Sequence, residues 1–300
     1  MKSVLVTGAN GFIGRHFIKY LAGKGVRVYA VDISHDNTVL RDMPGVKLIQ
    51  AGLDEMEMLE QYVDDQWRPE VFYHFAWAGT TGIRRTDYSL QLENVKHVCD
   101  AAKISKKLMC RRFIAPGTIT EKVVPYAVEH HCVSQGLTYA IAKETASHLL
   151  ETVCKTESID YIWVRLSNIF GGDNTNGNLI SYTLDEFRKG NVPSYGPCLQ
   201  PYNFTYIDDV VEALYLLGEY EGKHENTYFL SNGEKRILKD YLMEVADTFQ
   251  KPVDIGKRPD DGIRYNEEWF DDVGIQKDFG FIPGYMFSDA IKMIREENKS

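Results

Sequence analysis

Apolar and polar residues along the first half of the chain follow two alternating periods, one typical of β-strands and one typical of α-helices. A β-branched run at 3–7 stops at a glycine-rich turn, and apolar residues then recur every three to four positions over 12–21. A second apolar strand is predicted at 26–32. Further strands are predicted at 46–50, 71–75, 112–115 and 161–166, with helices at 56–66, 88–104 and 139–156 between them. This regular alternation predicts an α/β fold with a doubly wound parallel sheet.

The second half of the chain is less regular. Helices are predicted at 179–189, 208–219 and 238–249, separated by loops rich in Gly, Pro and Asn. We therefore predict a Rossmann-type domain at 1–167, completed by about 203–232. A smaller C-terminal α/β substrate lobe is expected from 168–202 and 233–300.

The turn after the first strand has the glycine spacing of a dinucleotide-binding site. Gly8 permits a tight turn, Gly11 lets backbone N–H groups approach a pyrophosphate, and Gly14 lets the helix lie close to the sheet. The helix N-terminus then faces the phosphates. The cofactor-binding residues expected in this turn are Gly8, Asn10, Gly11, Phe12, Ile13 and Gly14.

An acidic residue at the end of the second strand bears on the choice of cofactor. Asp32 is placed to accept hydrogen bonds from both ribose hydroxyls of the adenosine half, and its charge would repel a 2′-phosphate. We therefore expect NAD. NADP stays open, because His35 or Arg41 could neutralise a 2′-phosphate.

A phenol and an ammonium lie four residues apart on the helix predicted at 139–156. Tyr139 and Lys143 therefore share one helix face. A tyrosine that exchanges a proton near neutrality needs its pKa lowered from about 10 by roughly three units. A lysine charge about 4 Å away supplies an effect of that size. The pair is a candidate acid/base site.

Together these motifs resemble the extended short-chain dehydrogenase/reductase superfamily, which includes NAD-dependent nucleotide-sugar epimerases, dehydratases and reductases. The matching pieces occur in order as Thr7–Gly14, Tyr73–Gly79, the pair Tyr139 and Lys143, Arg165–Gly171 and Phe204–Val210. The resemblance implies hydride exchange between nicotinamide and a sugar carbon. It also implies cofactor contacts from Phe75, Ala76, Trp77 and Lys143, and a homodimer in which the helices at 88–104 and 139–156 pair.

The same resemblance implies a third catalytic hydroxyl at the end of the fifth strand. Thr118 occupies that position, and Thr120 is the fallback. Dehydratases of this family carry an Asp-Glu pair directly after the threonine, where this chain has Ile119 and Thr120. Dehydration is therefore disfavoured. Glu121 lies one position later and is expected to pair with Lys122 or a loop amide.

Six residues are expected to make further ligand contacts. The resemblance places Leu53 at the adenine, where many relatives carry Asp, and Arg258 at the nucleotide diphosphate, where relatives carry an arginine near Tyr202. The remaining candidate substrate-binding residues are Thr80, Arg84, Thr120 and Asn168. Arg84 and its neighbour Arg85 could reach a phosphate or could belong to a solvated basic loop.

Composition excludes several other classes of protein. The formal net charge of the 300 residues is −9, which disfavours nucleic acid as a partner. The chain has neither a leader-like start nor 18 consecutive apolar residues, so we expect a soluble cytoplasmic protein and no membrane partner. The five cysteines form no C-x-x-C pair, and His130, His131 and Cys132 lack a second ligand cluster, so no metal is expected.

The sequence as a whole predicts an NAD(H)-dependent oxidoreductase that acts on a nucleotide-linked sugar. The absent Asp-Glu pair and the Trp77 loop favour reduction of a 4-keto-6-deoxyhexose. Two alternatives stay open: an NAD-dependent nucleotide-sugar 4-epimerase, and a dinucleotide-binding regulator without catalysis.

Overall fold

The protein is described here by a computed structural model. It describes residues 1–36, 38–132, 134–174, 177–260, 265–270 and 273–297. The strands are Ser3–Thr7 (β1), Arg27–Asp32 (β2), Val46–Gln50 (β3), Val71–His74 (β4), Arg112–Thr118 (β5), Tyr161–Leu166 (β6), Asn168–Phe170 (β7), Pro201–Tyr202 (β8), Phe204–Tyr206 (β9), Thr227–Leu230 (β10) and Arg236–Ile237 (β11). The α-helices are Phe12–Gly23 (α1), Leu59–Tyr62 (α2), Tyr88–Lys107 (α3), Val123–Glu129 (α4), Thr138–Glu157 (α5), Leu179–Lys189 (α6), Ile207–Glu219 (α7), Leu238–Phe249 (α8), Gly274–Phe279 (α9) and Phe287–Glu297 (α10).

Among the described residues, seven strands form a central sheet in the order β10-β6-β5-β4-β1-β2-β3, and every pairing in it is parallel. The strand order reverses beside β1, whose neighbours are β2 and β4. In sheets of this kind, ligands bind at the carboxyl ends of the strands on either side of that reversal. The predicted Rossmann-type doubly wound sheet is confirmed.

Alternating side chains of the strands fill two separate cores, one on each face of the sheet. Val4 and Val6 of β1 pack in the core that contains α1 and α7, whereas Leu5 packs in the core that contains α3 and α5. Because successive residues of a strand point to opposite faces, a parallel sheet covered on both sides needs such a continuous apolar run. The two layers of helices follow from that requirement.

The central sheet also contains a strand from beyond the first 167 residues. Strand β10 lies beside β6 at the edge of the sheet, and two small sheets, β7 with β9 and β8 with β11, form in the region that follows β6. The exact limits of the two predicted domains stay a prediction. Among the described residues, no helix combines the length and apolar character needed to cross a bilayer.

One predicted helix is replaced by shorter pieces. The segment expected to be helical over 56–66 forms a 3₁₀ turn at Leu53–Met58, the short helix α2 and a second 3₁₀ turn at Asp65–Trp67. The carboxylate of Asp64 accepts a hydrogen bond from the Trp67 amide at 2.9 Å and so starts the second turn. Only Met56 and Leu59 are buried in the two preceding pieces, too few to support a continuous helix.

Candidate active site

The glycine-rich turn follows β1, and two of its glycines have no room for a Cβ. Gly8 has a φ of +69°, and a Cβ there would lie 2.6 Å from the amide nitrogen of Ala76. A Cβ on Gly14 would overlap the carbonyl oxygen of Gly8. The turn is therefore packed directly against the loop that follows β4, and the start of α1 is packed directly against the turn.

The N-terminus of α1 is open to a ligand. Gly11 is the N-cap residue, no side chain caps the first turn, and that turn contains no acidic residue. Uncapped N–H groups and the positive end of the helix dipole favour an anion here. The residues present therefore fit a dinucleotide pyrophosphate.

A cavity of about 460 Å³ extends from this turn along the carboxyl ends of β1, β2 and β4. Most of the predicted cofactor residues line it, namely Gly8, Asn10, Gly11, Asp32, Leu53, Phe75, Ala76 and Trp77. Phe12, the first residue of α1, is buried in the core, and Ile13 lines the neighbouring cavity. The crevice therefore gathers residues from four separate segments of the chain.

At the adenosine end of this cavity, Asp32 is the acidic residue on the lining. Its carboxylate accepts a hydrogen bond from the backbone N–H of Asn10 at 2.9 Å, which fixes the carboxylate at the end of β2. His35 is buried, with its Nε2 2.9 Å from the carbonyl oxygen of Ile49, and Arg41 donates to the His35 carbonyl. Neither of these two residues lines the cavity, so the arrangement favours a free 2′-hydroxyl over a 2′-phosphate.

We expect NADH to bind more tightly than NADPH, and Asp32→Ser to reduce that preference at least tenfold. A tenfold change corresponds to about 1.4 kcal/mol, which the loss of a carboxylate beside a phosphate readily supplies. Fluorescence titration with both reduced nucleotides measures the ratio. Tighter binding of NADPH by the unaltered protein would reverse the assignment.

The predicted catalytic pair lies on the buried face of α5. Tyr139 is 8% exposed and Lys143 is 3% exposed. The Lys143 ammonium donates to the Pro116 carbonyl at 2.7 Å and lies 3.7 Å above the Trp77 ring. It is 6.0 Å from the centre of the Tyr139 ring.

The pKa values of the pair differ from the expectation. Burial raises the pKa of Tyr139 to about 12, and the Glu121 carboxylate adds to this, whereas the Arg85 guanidinium opposes it. Burial also lowers the pKa of Lys143 to about 7, despite the nearby Glu121. In the cofactor-free protein the pair alone therefore does not make the phenol acidic, because desolvation is the largest effect on its pKa.

The buried lysine makes a prediction for stability against pH. Above about pH 7 the folded protein holds Lys143 neutral, whereas the unfolded chain keeps it protonated up to about pH 10.5. Between about pH 10.5 and 7 the unfolded chain binds one proton more than the folded protein, so the free energy of unfolding falls as the pH is lowered. Below about pH 7 this loss of stability is constant. As the pH falls from 8.5 to 7, the free energy of unfolding of the unaltered protein should therefore drop by about 1–2 kcal/mol relative to that of Lys143→Met. Urea unfolding of the cofactor-free proteins measures this gain, and a gap independent of pH would contradict it.

Thr118 ends β5 and caps the turn that follows. Its hydroxyl accepts from the Thr120 amide at 3.3 Å and lies 3.2 Å from the Thr120 hydroxyl. The two threonines therefore form one hydroxyl pair, of which Thr118 lines the cavity beside Tyr139.

Glu121 points away from that cavity and into the protein. Its carboxylate accepts from the Thr118 amide at 2.7 Å, from the Trp163 indole at 3.1 Å and from Arg165 at 2.7 Å. The loop-amide partner was predicted, but the cation is Arg165 of β6 rather than Lys122. Because its side chain is 1% exposed, Glu121 is a fixed internal anion.

A second cavity of about 240 Å³ is lined by the candidate catalytic hydroxyls. Thr80, Thr118, Tyr139 and Asn168 line it, four of the residues predicted for chemistry or substrate binding. The Tyr202 hydroxyl donates to the Asn168 carboxamide oxygen at 2.7 Å. Tyr202, near which an arginine was expected by resemblance, therefore orients an asparagine in this protein.

The side chains of the two adjacent arginines after β4 lie in different environments. Arg84 is exposed and lies off the lining, whereas Arg85 lines the cavity and its guanidinium carbon is 3.9 Å from the centre of the Tyr139 ring. The sequence named both but favoured Arg84. The turn at Ile83–Thr86 decides which side chain points inwards, and adjacent residues in the sequence carry no signal for that choice.

The candidate diphosphate residue lies in a third cavity, of about 420 Å³. Arg258 donates to the Tyr182 hydroxyl at 2.7 Å and to the Ser194 hydroxyl at 3.2 Å. The aromatic rings of Tyr195 and Tyr265 also line this cavity. The combination of a cation with tyrosine rings fits a phosphate linked to a flat base.

No group of three potential metal ligands is present in the part of the chain that the structure describes. The His130–Cys132 segment follows α4. His130 stacks on Tyr126, and the Cys132 thiol lies 3.7 Å from the Ala127 carbonyl.

Comparisons with known proteins show which proteins this chain is similar to. A dTDP-6-deoxy-L-talose 4-dehydrogenase (NAD(+)) of Aggregatibacter actinomycetemcomitans is 26% identical over 81% of this chain and 88% of its own length. A probable UDP-glucuronate 4-epimerase of Rhizobium meliloti is 24% identical over 74% and 70%, respectively. The structure of a dTDP-glucose 4,6-dehydratase of Bacillus anthracis in complex with NAD has the same fold. Its TM-score is 0.79 at 17% identity, covering 100% of this chain and 97% of that one.

The family model described as the NAD dependent epimerase/dehydratase family matches residues 4–230. That stretch contains the glycine-rich turn, the hydroxyl pair, Tyr139 and Lys143. The chain therefore belongs to the NAD-dependent epimerase/dehydratase family, with NAD as its cofactor.

Proposed function

We propose that the protein is an NAD(H)-dependent reductase of a nucleotide-linked 4-keto-6-deoxyhexose. The family gives the coarser statement, an NAD-dependent enzyme of the nucleotide-sugar epimerase/dehydratase type. The reductase assignment is ours and rests on the chemistry of the groups around the second cavity, lined by Thr80, Thr118, Tyr139 and Asn168, to which we assign the sugar and which we call the sugar cavity.

The observation that carries the proposal is the orientation of Glu121. Removal of water from a sugar needs an acid and a base at neighbouring carbons, in addition to the group that serves the carbonyl oxygen. The carboxylate nearest the hydroxyl pair is locked against Thr118, Trp163 and Arg165 and does not line the cavity. The cavity therefore offers proton transfer at one oxygen.

Reduction of a ketone needs little more than that. When bound, NADH supplies the hydride. Tyr139 is placed to give a proton to the carbonyl oxygen, and the Thr118 hydroxyl can hold the same oxygen while the proton moves. Asn168, fixed by Tyr202, can orient a neighbouring sugar hydroxyl. We assign the diphosphate to Arg258, with the base among the tyrosine rings of that cavity.

A 4-epimerase is the main alternative, and the name of the Rhizobium relative favours it. Epimerisation would use the same Tyr139 and Thr118, but the sugar would be oxidised and reduced again without net loss of NADH. A regulator without catalysis would need none of the three predicted catalytic residues. Their joint placement on one buried site supports an enzyme.

The test is a panel of UDP-, dTDP-, CDP- and GDP-linked hexoses and their 4-keto forms, followed by absorbance of reduced nicotinamide. The reductase predicts stoichiometric NADH oxidation with one keto-sugar. Interconversion of sugar isomers without NADH oxidation would support the epimerase. A protein that binds NADH but transforms no member of the panel would favour the regulator.

We propose two further properties that the site does not require. The outer sides of α3 and α5 expose Leu92, Ile141 and Leu149, which two-fold pairing of these helices would bury, and sedimentation of the purified protein tests for the homodimer. The five cysteines form no disulfide within the described residues and two of them are buried, which fits the reducing cytoplasm.

A further inference from the structure

Arg85 occupies a position that the family motifs do not explain. Its guanidinium carbon lies 3.9 Å from the centre of the Tyr139 ring, within the range of a strong cation–π contact. The side chain is half-buried and lines the sugar cavity together with Thr80 and Thr118.

The position of Arg85 is built by its surroundings. Its guanidinium donates to the Thr80 carbonyl at 2.7 Å. The carboxamide of Gln91, on α3, donates to the carbonyls of Gly79 and Arg84 at 3.0 and 3.3 Å. A Cβ on Gly79 would lie 2.7 Å from the Arg84 carbonyl oxygen. The turn that carries the arginine is therefore clamped against the loop after β4.

Three charged groups face Tyr139 from three different elements: Arg85 from the turn before α3, Lys143 from α5, and Glu121 from the turn after β5. Glu121 is paired with Arg165. The Lys143 ammonium is held by the Pro116 carbonyl and the Trp77 ring, 6.0 Å from the Tyr139 ring centre. Arg85 is therefore the cation in closest contact with the phenol ring.

We propose that Arg85 is a positioning residue of the reaction: stacked on the Tyr139 ring, its guanidinium supplies the positive charge that faces the phenolate once Tyr139 has given up its proton. The inference rests on the proposed function in one respect, that Tyr139 is the group that transfers the proton.

The chemistry of the two cations supports this division of roles. Burial lowers the pKa of Lys143 to about 7, so in the cofactor-free protein this side chain loses its charge as the pH rises above neutrality. An arginine guanidinium stays protonated in proteins. Arg85 accordingly lowers the pKa of Tyr139 against the effect of burial.

The test follows the Tyr139 phenol directly and needs no sugar. Protein labelled with ¹³C at tyrosine Cζ is titrated in the presence of NAD⁺, and the Tyr139→Phe variant identifies the resonance. Arg85→Gln should raise the titration midpoint of Tyr139 by about one to two pH units. Arg85→Lys, which keeps the charge, should restore at least half of the shift.

Arg188→Gln is the matched control, because it removes the same charge from an exposed position on α6 where Arg188 pairs with Asp185. It should leave the midpoint unchanged, and NAD⁺ affinity verifies that each variant is folded. A midpoint that Arg85→Gln leaves in place would overturn the proposal. So would a larger shift from Arg84→Gln. Since no turnover is measured, these outcomes are independent of whether the enzyme is a reductase.

Discussion

Replacing Tyr139 by phenylalanine will lower kcat by about 10²–10⁴-fold, the usual contribution of a general acid or base. The substitution removes one oxygen from a ring that packs edge-on against Trp77, with 6.0 Å between the ring centres, and over which Arg85 lies. The ring itself stays, so the fold and the cofactor crevice should persist. Turnover is measured with whichever sugar of the panel reacts, and NADH affinity by fluorescence should change less than twofold.

Tyr62→Phe is the control for this experiment. Tyr62 ends α2 and is 45% exposed, so the same loss of a hydroxyl occurs far from the sugar cavity. It should leave kcat unchanged. If Tyr139→Phe retained more than a tenth of the original turnover, the proton would have to come from another group, and Thr118 would be the first candidate.

Glu121→Ala will lower the free energy of unfolding by about 3–5 kcal/mol, the cost of removing one partner from a buried ion pair. The alanine leaves Arg165 without its carboxylate and removes the acceptor of the Trp163 indole and of the Thr118 amide. Urea unfolding measures the loss. Thr118 should also become less well fixed, so turnover of the reactive sugar should fall with stability.

Glu151→Ala provides the comparison, because Glu151 forms an exposed ion pair with Lys155, one helical turn further along α5. Exposed pairs of this kind contribute about 0–1 kcal/mol. A Glu121→Ala variant as stable as Glu151→Ala would show that the carboxylate is not the internal anion described here. It would then be free to act in the cavity, and dehydration would again be possible.

The sheet and the cofactor crevice could be predicted because each rests on a local signal. The glycines of the first turn, the apolar strand of β1 and the acid at Asp32 are read from short stretches, and the parallel doubly wound sheet follows from the alternation of strands and helices. The helices at 179–189 and 238–249 were predicted with the bounds that the structure has, because their apolar faces have a clear helical period.

The electrostatics of the site could not be predicted, because they depend on contacts between distant segments. The Glu121 carboxylate meets Arg165 only once β5 and β6 pair, and Arg85 reaches Tyr139 only through the turn before α3. The sequence predicts that Lys143 shares a helix face with Tyr139, but not that its ammonium contacts the carbonyl of Pro116 and the ring of Trp77. Desolvation, which sequence spacing does not report, then sets the direction of both pKa shifts.

The most direct measurement of the central claim follows the hydride itself. The enzyme is incubated with NADH deuterated at nicotinamide C4 and the reactive nucleotide-linked 4-keto-6-deoxyhexose, and the product sugar is analysed by mass spectrometry and NMR. We predict one deuterium at C4 of each product sugar and one NADH oxidised for each deuterium transferred. Sugar product without deuterium, formed with no loss of NADH, would contradict the claim that this protein is a reductase.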